Sequence, residues 1–249
     1  MRKFIFLIST VIVICCTVII FSLLDTNSTA VHIYYSPHPD DETLSMGASI
    51  VEELDNGHDV QIVLLTQGAA SSAINKINKD LEANGKDLLS VEDFVDARLA
   101  EFQLAVSKLG VPEENIHIFD YPDGGLELQN IKELMKEFEE MYKDAYHHAF
   151  SYHDPHPDHR TTGEALLDLE ENGQVTHAKY FVPRYVDLEH IGQLTSVNPE
   201  YTKVVQEALH AYGRWDTENG YYSVGFYSVP DAFNQMLQDT RNRFHDSNE

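Results

Sequence analysis

Beyond residue 30 the 249-residue chain has no cysteine; its two, Cys15 and Cys16, both lie in an apolar amino-terminal run. The remainder therefore has no disulfide and no thiolate, and any metal there must be held by His, Asp or Glu. Basic residues are also scarce: 17 Lys and Arg stand against 41 Asp and Glu, a formal net charge of −24. That balance argues against a nucleic-acid partner, because phosphate binding needs a positive surface, and against docking on anionic lipid. A neutral ligand meets no such repulsion, and the same charge also keeps a surface soluble. No internal repeat and no second domain boundary is evident, and the length suits one sizeable α/β domain with a buried core.

The first thirty residues form a separate object. Arg2 and Lys3 precede the uncharged stretch from Phe4 to Leu24, and Asp25 follows it. As a helix this stretch would be about 31 Å long, close to the bilayer core of about 30 Å. The basic end is expected to stay in the cytoplasm and everything after Asp25 to be exported. Residues 1–30 are read as a membrane anchor or a signal peptide. Length favours an uncleaved anchor, while Ser28-Thr29-Ala30 offers a peptidase site. The domain is then held on the outer face of the cell membrane or secreted, and it touches the membrane only through this helix.

From residue 31 to 249 strand-like and helix-like segments alternate, which predicts a Rossmann-like, mainly parallel sheet flanked by helices. Strands are expected at 31–35, 60–65, 116–119, 149–152 and near Phe181. Helices are expected at 43–56, 91–109, 129–146, 161–171 and 199–212, with a long polar loop and a short helix between 67 and 90. The aromatic-rich segment from Tyr221 to Val229 reads as β-like. With Tyr212 and Trp215 it offers rings that suit either sugar stacking or core packing.

Two motifs carry chemistry. Pro37-His38-Pro39-Asp40-Asp41-Glu42 follows the first strand, at the strand end where ligands gather in open α/β sheets. His38 and Asp41, three apart in a proline-stiffened loop, can converge on one cation. The acidic residues would equally cap a helix, although capping leaves His38 and the prolines without a role. His156-Pro157-Asp158-His159 follows a later strand in a histidine-rich stretch that includes His147, His148 and His153. Two histidines and a carboxylate drawn from two strand ends make a recurrent metal set.

Together these motifs resemble those of the PIG-L/LmbE-like family of metal-dependent deacetylases, whose members act on N-acetylglucosamine carried by varied aglycones. Arg98-Leu99-Ala100-Glu101, Leu109-Gly110-Val111 and Tyr121-Pro122-Asp123-Gly124 extend the resemblance over about residues 31–170. Lys203, Ala208 and Tyr212 fit the family's carboxyl-terminal spacing, but Gly213-Arg214-Trp215 stands where Ser-Gln is expected.

The resemblance implies that His38, Asp41 and His159 ligate Zn2+, with Fe2+ an alternative for the same donors. It implies Asp40 as general base, since zinc lowers the pKa of bound water and polarises the acetyl carbonyl. His156, when protonated, would stabilise the oxyanion or deliver a proton to the leaving amine. Asp158 would hold His156 in orientation or cap the following helix. Arg98 would contact a sugar hydroxyl or a flanking carboxylate, or pair with Glu101 or Glu42. Asp123 would bound the pocket or serve its turn. The implied reaction is removal of acetyl from an N-acetylglucosamine-type sugar on an extracellular glycan or glycoconjugate. The rival readings are a non-catalytic carbohydrate-binding protein of the same fold and an esterase or amidase using the same metal site.

Protease added outside intact cells is expected to digest the domain, and fractionation to leave full-length chain in the membrane. A domain protected in the cytosol would rule out export; a free form beginning near Val31 would rule out the anchor alone.

Overall fold

The computed structural model describes residues 29–188 and 190–249, so the expected amino-terminal helix lies outside the described residues. Val31–Glu249 form one compact unit. Among the described residues no helix is long and apolar enough to cross a membrane.

The unit is an α/β fold around a mostly parallel sheet. β1 (Val31–Ser36), β2 (Asp59–Leu64), β3 (Ile116–Ile118), β4 (Tyr146–Phe150) and β5 (His177–Val182) run parallel, in spatial order 3-2-1-4-5. Two short strands, β6 (Gln193–Leu194) and β9 (Arg243–His245), extend the sheet beyond β5 through antiparallel pairings. β7 (Trp215–Asp216) and β8 (Tyr221–Tyr222) pair separately. The order reverses between β1 and β4, which opens a crevice beyond their carboxyl ends. Both chemical motifs follow these two neighbouring strands.

Period-2 alternation divides the core into two layers. Tyr34, Ile62 and Phe181 face α1 (Asp41–Asp55), α3 (Val91–Leu109) and α6 (Pro199–Ala211). Ile33, Tyr35, Val63 and Tyr180 face α4 (Leu128–Met141) and α5 (Pro157–Glu171). A smaller cluster joins α2 (Ala73–Ala83) and the start of α3 to Val224, which opens α7 (Val224–Ser228). α3 has local start and stop signals. Ser90 and Asp93 form a reciprocal capping box, and Gly110 takes the left-handed C-cap at φ 97°.

Four expectations from sequence need correction. The helix placed at 129–146 ends at Met141, because Asp144 adopts φ 59° and turns the chain. Tyr146 to His148 then join β4, paired with β1 and β5, so this strand spans 146–150 rather than 149–152. α5 begins at Pro157, not Thr161, because proline is pre-set for the first helical position and His156 serves as the N-cap. The 221–229 segment contains only two strand residues before α7, and α8 (Pro230–Gln238) and β9, neither expected from sequence, follow it.

α5 approaches the end of β4 at a position open only to glycine. A Cβ on Gly163 would lie 2.4 Å from the Phe150 carbonyl oxygen and 2.5 Å from the Tyr152 nitrogen. Both obstacles are backbone and cannot swing aside. Gly163→Ala is expected to lower unfolding stability by about 2–3 kcal/mol, within the range for overpacking, as measured by denaturant titration. An unchanged midpoint would show that the approach is looser than described.

Candidate active site

The Pro37–Asp41 loop is held in place almost entirely by buried polar contacts. Thr66 Oγ1 donates to the Pro37 carbonyl (2.9 Å), Ser36 Oγ to the His38 carbonyl (2.8 Å) and Arg98 to the Pro39 carbonyl (2.9 Å). The Asp40 N–H donates to buried Glu42 (3.2 Å), which itself accepts from Tyr212 Oη (2.6 Å) and Thr43 Oγ1 (2.6 Å). These restraints keep Asp40 at φ 123°, a strained angle for a residue with a side chain. The strain separates two adjacent carboxylates: Asp41 turns to the histidines and Asp40 to Arg98.

Asp41 Oδ2 lies 3.0 Å from His38 Nδ1 and 3.1 Å from His159 Nε2. Each imidazole's other nitrogen meets a carboxylate. His38 Nε2 is 3.1 Å from Asp158 and 3.3 Å from Asp123, and His159 Nδ1 is 3.2 Å from Asp154. Asp158 is itself fixed by the N–H groups of Gly124 (2.7 Å) and Leu126 (3.1 Å). One ring nitrogen each of His38, His156 and His159 also lies within 4.8 Å of the others.

This donor set fits a small divalent cation. Two ligand atoms about 2.1 Å from one ion at ordinary angles stand about 3.0–3.4 Å apart, and Asp41 Oδ2 stands 3.0 Å from His38 Nδ1 and 3.1 Å from His159 Nε2. Carboxylates behind the ligand imidazoles are the usual supporting arrangement. His38 and His159, with Asp41 between them, could hold the ion, and His38, His156 and His159 offer a second possible set. Without an ion, protons balance the cage. Burial alone would lower His159, but Asp41 and Asp154 overcome it and raise it to about 9. Burial likewise opposes His38, and Asp123, Asp158 and Asp41 hold it well above its ordinary value. Asp41 is driven low in return by the two imidazoles, against the effect of burial.

Asp40 differs from its neighbour. Burial pushes its carboxyl up to about 7, opposed chiefly by Arg98, whose guanidinium lies 3.4 Å away. Arg98 also donates to the Gly68 carbonyl (2.7 Å), and Gly68 must lack a side chain because a Cβ there would collide with the guanidinium. His156 is lowered by burial and by His159 and His38. Its Nδ1 accepts the Asp158 N–H at the helix start (3.3 Å), so the neutral ring keeps Nε2–H as its donor.

A cleft of about 720 Å³ gathers these groups. His38, Asp40, Asp41, Arg98, His156 and His159 line it, together with Asp123. Asp158 sits behind His38 rather than orienting the His156 ring, as the sequence had suggested, because its carboxylate is tied to the 124–126 turn. Arg98 meets Asp40 rather than Glu101 or Glu42. His156 needs no extra proton to donate, and protonation at Nδ1 would oppose the helix N–H it already accepts. Asp154, Tyr185 and Ser71 were not anticipated. Asp154, two residues before His156 and itself an accepting side chain, was the one with a local signal. Three other histidines serve the sheet: His147 lies between Tyr35 and Glu139, and His148 bonds His32. Of the aromatic segment, Tyr212 is buried on Glu42 and Phe226 stacks on Phe233, so neither reaches the cleft.

Comparison with known proteins follows the same lines. The family described as PIG-L: GlcNAc-PI de-N-acetylase matches residues 33–169. A diacetylchitobiose deacetylase from Thermococcus kodakarensis is 32% identical over 133 residues, covering 51% of this chain and 44% of that protein, so the match spans less than half of its length. A deacetylase triple mutant from the teicoplanin biosynthetic pathway superposes with TM-score 0.63 at 19% identity, covering 84% of this chain and 88% of that one. A 4-carboxy-2-hydroxymuconate hydratase from Pseudomonas putida shares the fold at TM-score 0.53 and 17% identity, over 84% and 88% of the two chains. At such identities the solved structures establish the fold alone.

Binding of a divalent ion at pH 7 should displace the protons held by His38 and His159, releasing about two per ion. Calorimetry in buffers of different ionisation enthalpy measures this. Uptake without proton release would show that the ion sits elsewhere.

Proposed function

The chain belongs to the PIG-L family, and from that membership and the geometry of its cleft we propose that it is a metal-dependent N-deacetylase of N-acetylglucosamine-type sugars, acting on a glycan or glycoconjugate outside the cell. The observation that carries this reading is the division between two adjacent aspartates. Asp41 shares one oxygen between two imidazoles, while Asp40, equally buried, remains uncommitted to them and faces the cleft. A binding protein has no use for an uncommitted carboxylate held in a strained backbone beside a cation site.

Zinc in this set, or Fe2+, which the same donors suit, supplies Lewis acidity toward the acetyl carbonyl and makes water easier to deprotonate. Asp40 accepts the proton of the attacking water, and Arg98 holds its carboxyl below the value that burial alone would set. His156 Nε2–H donates to the carbonyl oxygen as charge develops there. The proton taken up by Asp40 then passes to the departing amine, which leaves acetate and the free amino sugar. Asp158 and Asp154 act through His38 and His159 by fixing which nitrogen of each faces the cation. The wall beyond the carboxylates, with Ser71, Tyr185 and Val229, accommodates the sugar. The −24 balance favours a neutral substrate over a polyanionic one.

Acetate release from N-acetylglucosamine oligomers and glycolipids tests the reading. Asp40→Asn should keep its metal while turnover falls about 10²–10⁴-fold, and His159→Ala should lose metal by elemental analysis. Because the Arg98 cation lowers Asp40, Arg98→Gln should move the acidic limb of the pH–rate profile to higher pH, and Arg98→Lys should largely restore it. Wild-type turnover by metal-loaded Asp40→Asn would place the base elsewhere.

A further inference from the structure

Trp215 is the only tryptophan of the chain, and it opens β7. It is 43% exposed, although tryptophan is costly to leave in water. Its ring is nonetheless well placed. β7 pairs Trp215 with Tyr222, whose ring meets the indole edge-on at 6.1 Å, and Tyr227 packs against it at 5.9 Å. Tyr227 is held in turn by a hydrogen bond to Asp80. Lys86 reaches across to Thr217 Oγ1 (2.7 Å) and tethers the loop after β7 to the end of α2.

These groups line a second depression of about 450 Å³, made by Asp80, Leu81, Asn84, Lys86, Trp215 and Tyr227. One carboxylate, one ammonium and one amide surround an aromatic floor, so the lining carries hydrogen-bonding groups of both kinds and little net charge. A pyranose ring matches it: its C–H face lies on an indole and its rim hydroxyls meet the polar side chains. The place of the depression adds to the argument. α2 starts beside Ser72, which lines the catalytic cleft, and ends beside Asp80 and Asn84, which line the depression. Its 11 residues span about 16 Å, so a chain of a few sugars bridges the two. α7 separates the same two spaces, with Tyr227 on one side and Ser228 on the other.

We propose that this depression is a second, non-catalytic sugar subsite, which takes a distal residue of a neutral oligosaccharide while an N-acetylated residue of the same chain occupies the cleft. It rests on the deacetylase reading above and extends it: the substrate is an oligosaccharide several residues long, and Trp215 is the residue that reads its length.

Because there is one tryptophan, intrinsic fluorescence reports this subsite alone. N-acetylglucosamine oligomers, from monomer to hexamer, are titrated into full-length Asp40→Asn chain, whose slowed turnover leaves the oligomers intact during the titration. Saturable quenching or a blue shift is expected with the longer oligomers and none with the monomer. In the otherwise wild-type chain, Trp215→Ala should raise KM about three- to tenfold for long oligomers, the loss of one aromatic stack, with kcat and monomer kinetics unchanged. Trp215→Phe should recover most of the affinity, and circular dichroism confirms that both variants are folded. Acetate release from long oligomers with unaltered fluorescence, and equal KM in Trp215→Ala, would overturn the subsite and leave the deacetylase intact. Fluorescence change without any acetate release would do the reverse. Neither signal from any oligomer would remove both.

Discussion

Asp41 Oδ2 meets imidazole nitrogens from two separate parts of the chain, and His159 could not reach it if β1 and β4 were not neighbours. His38 comes from the loop after β1, and His159 from the first turn of the helix after β4. The parallel pairing of His32 with Tyr146 and of Tyr34 with His148 sets both strand ends at one level. A slip of one residue in this register would turn the buried faces over and carry the two motifs apart. The carboxylates behind the imidazoles raise the cost of disturbing the arrangement. Asp154 and Asp158 are almost fully buried, and removing a partner leaves an uncompensated buried charge, typically a loss of about 3–5 kcal/mol.

The same site depends on chain that is remote in sequence. Glu42 reaches Tyr212 at the end of α6, and through its contact with the Asp40 N–H it helps to hold the strained backbone there. Three N–H groups, from Tyr222, Val224 and Gly225, converge on the buried carboxylate of Glu101. Burial still pushes that carboxyl up to about 8. The carboxyl-terminal segment is therefore bound into the frame of the cleft by polar contacts, in addition to covering the core.

What could be read in the sequence was whatever is decided locally. Ser90, Asp93 and Gly110 state where α3 starts and stops, and 91–109 is legible for that reason. The two motifs, the parallel sheet and the long polar loop with its short helix are legible in the same way. The boundary between α4 and β4 was not. It turns on one left-handed residue, Asp144, and on the pairing of Tyr146 to His148 with strands on both sides, which tertiary context alone supplies. Nor was the partner of Asp158 legible. His38 is 120 residues away, and nothing near 158 distinguishes that contact from orienting His156 or capping α5. The 221–229 segment misled for a related reason. Its aromatic residues suit strands, but Glu101 collects the N–H groups at 222–225 and the chain turns into α7.

Helix α3 joins the chemistry of the cleft to the shape of its rim. Arg98 and Glu101 are almost one turn apart on it, so they project to the same side. Arg98 pairs with Asp40 and holds the Pro39 and Gly68 carbonyls, while Glu101 fixes the segment that leads into Ser228 and Val229 on the cleft wall. The residues between β7 and β8 are under a weaker constraint, since the 222–225 anchor fixes only the return of that hairpin to the fold. Its tip makes none of the contacts that join His38, Asp41 and His159.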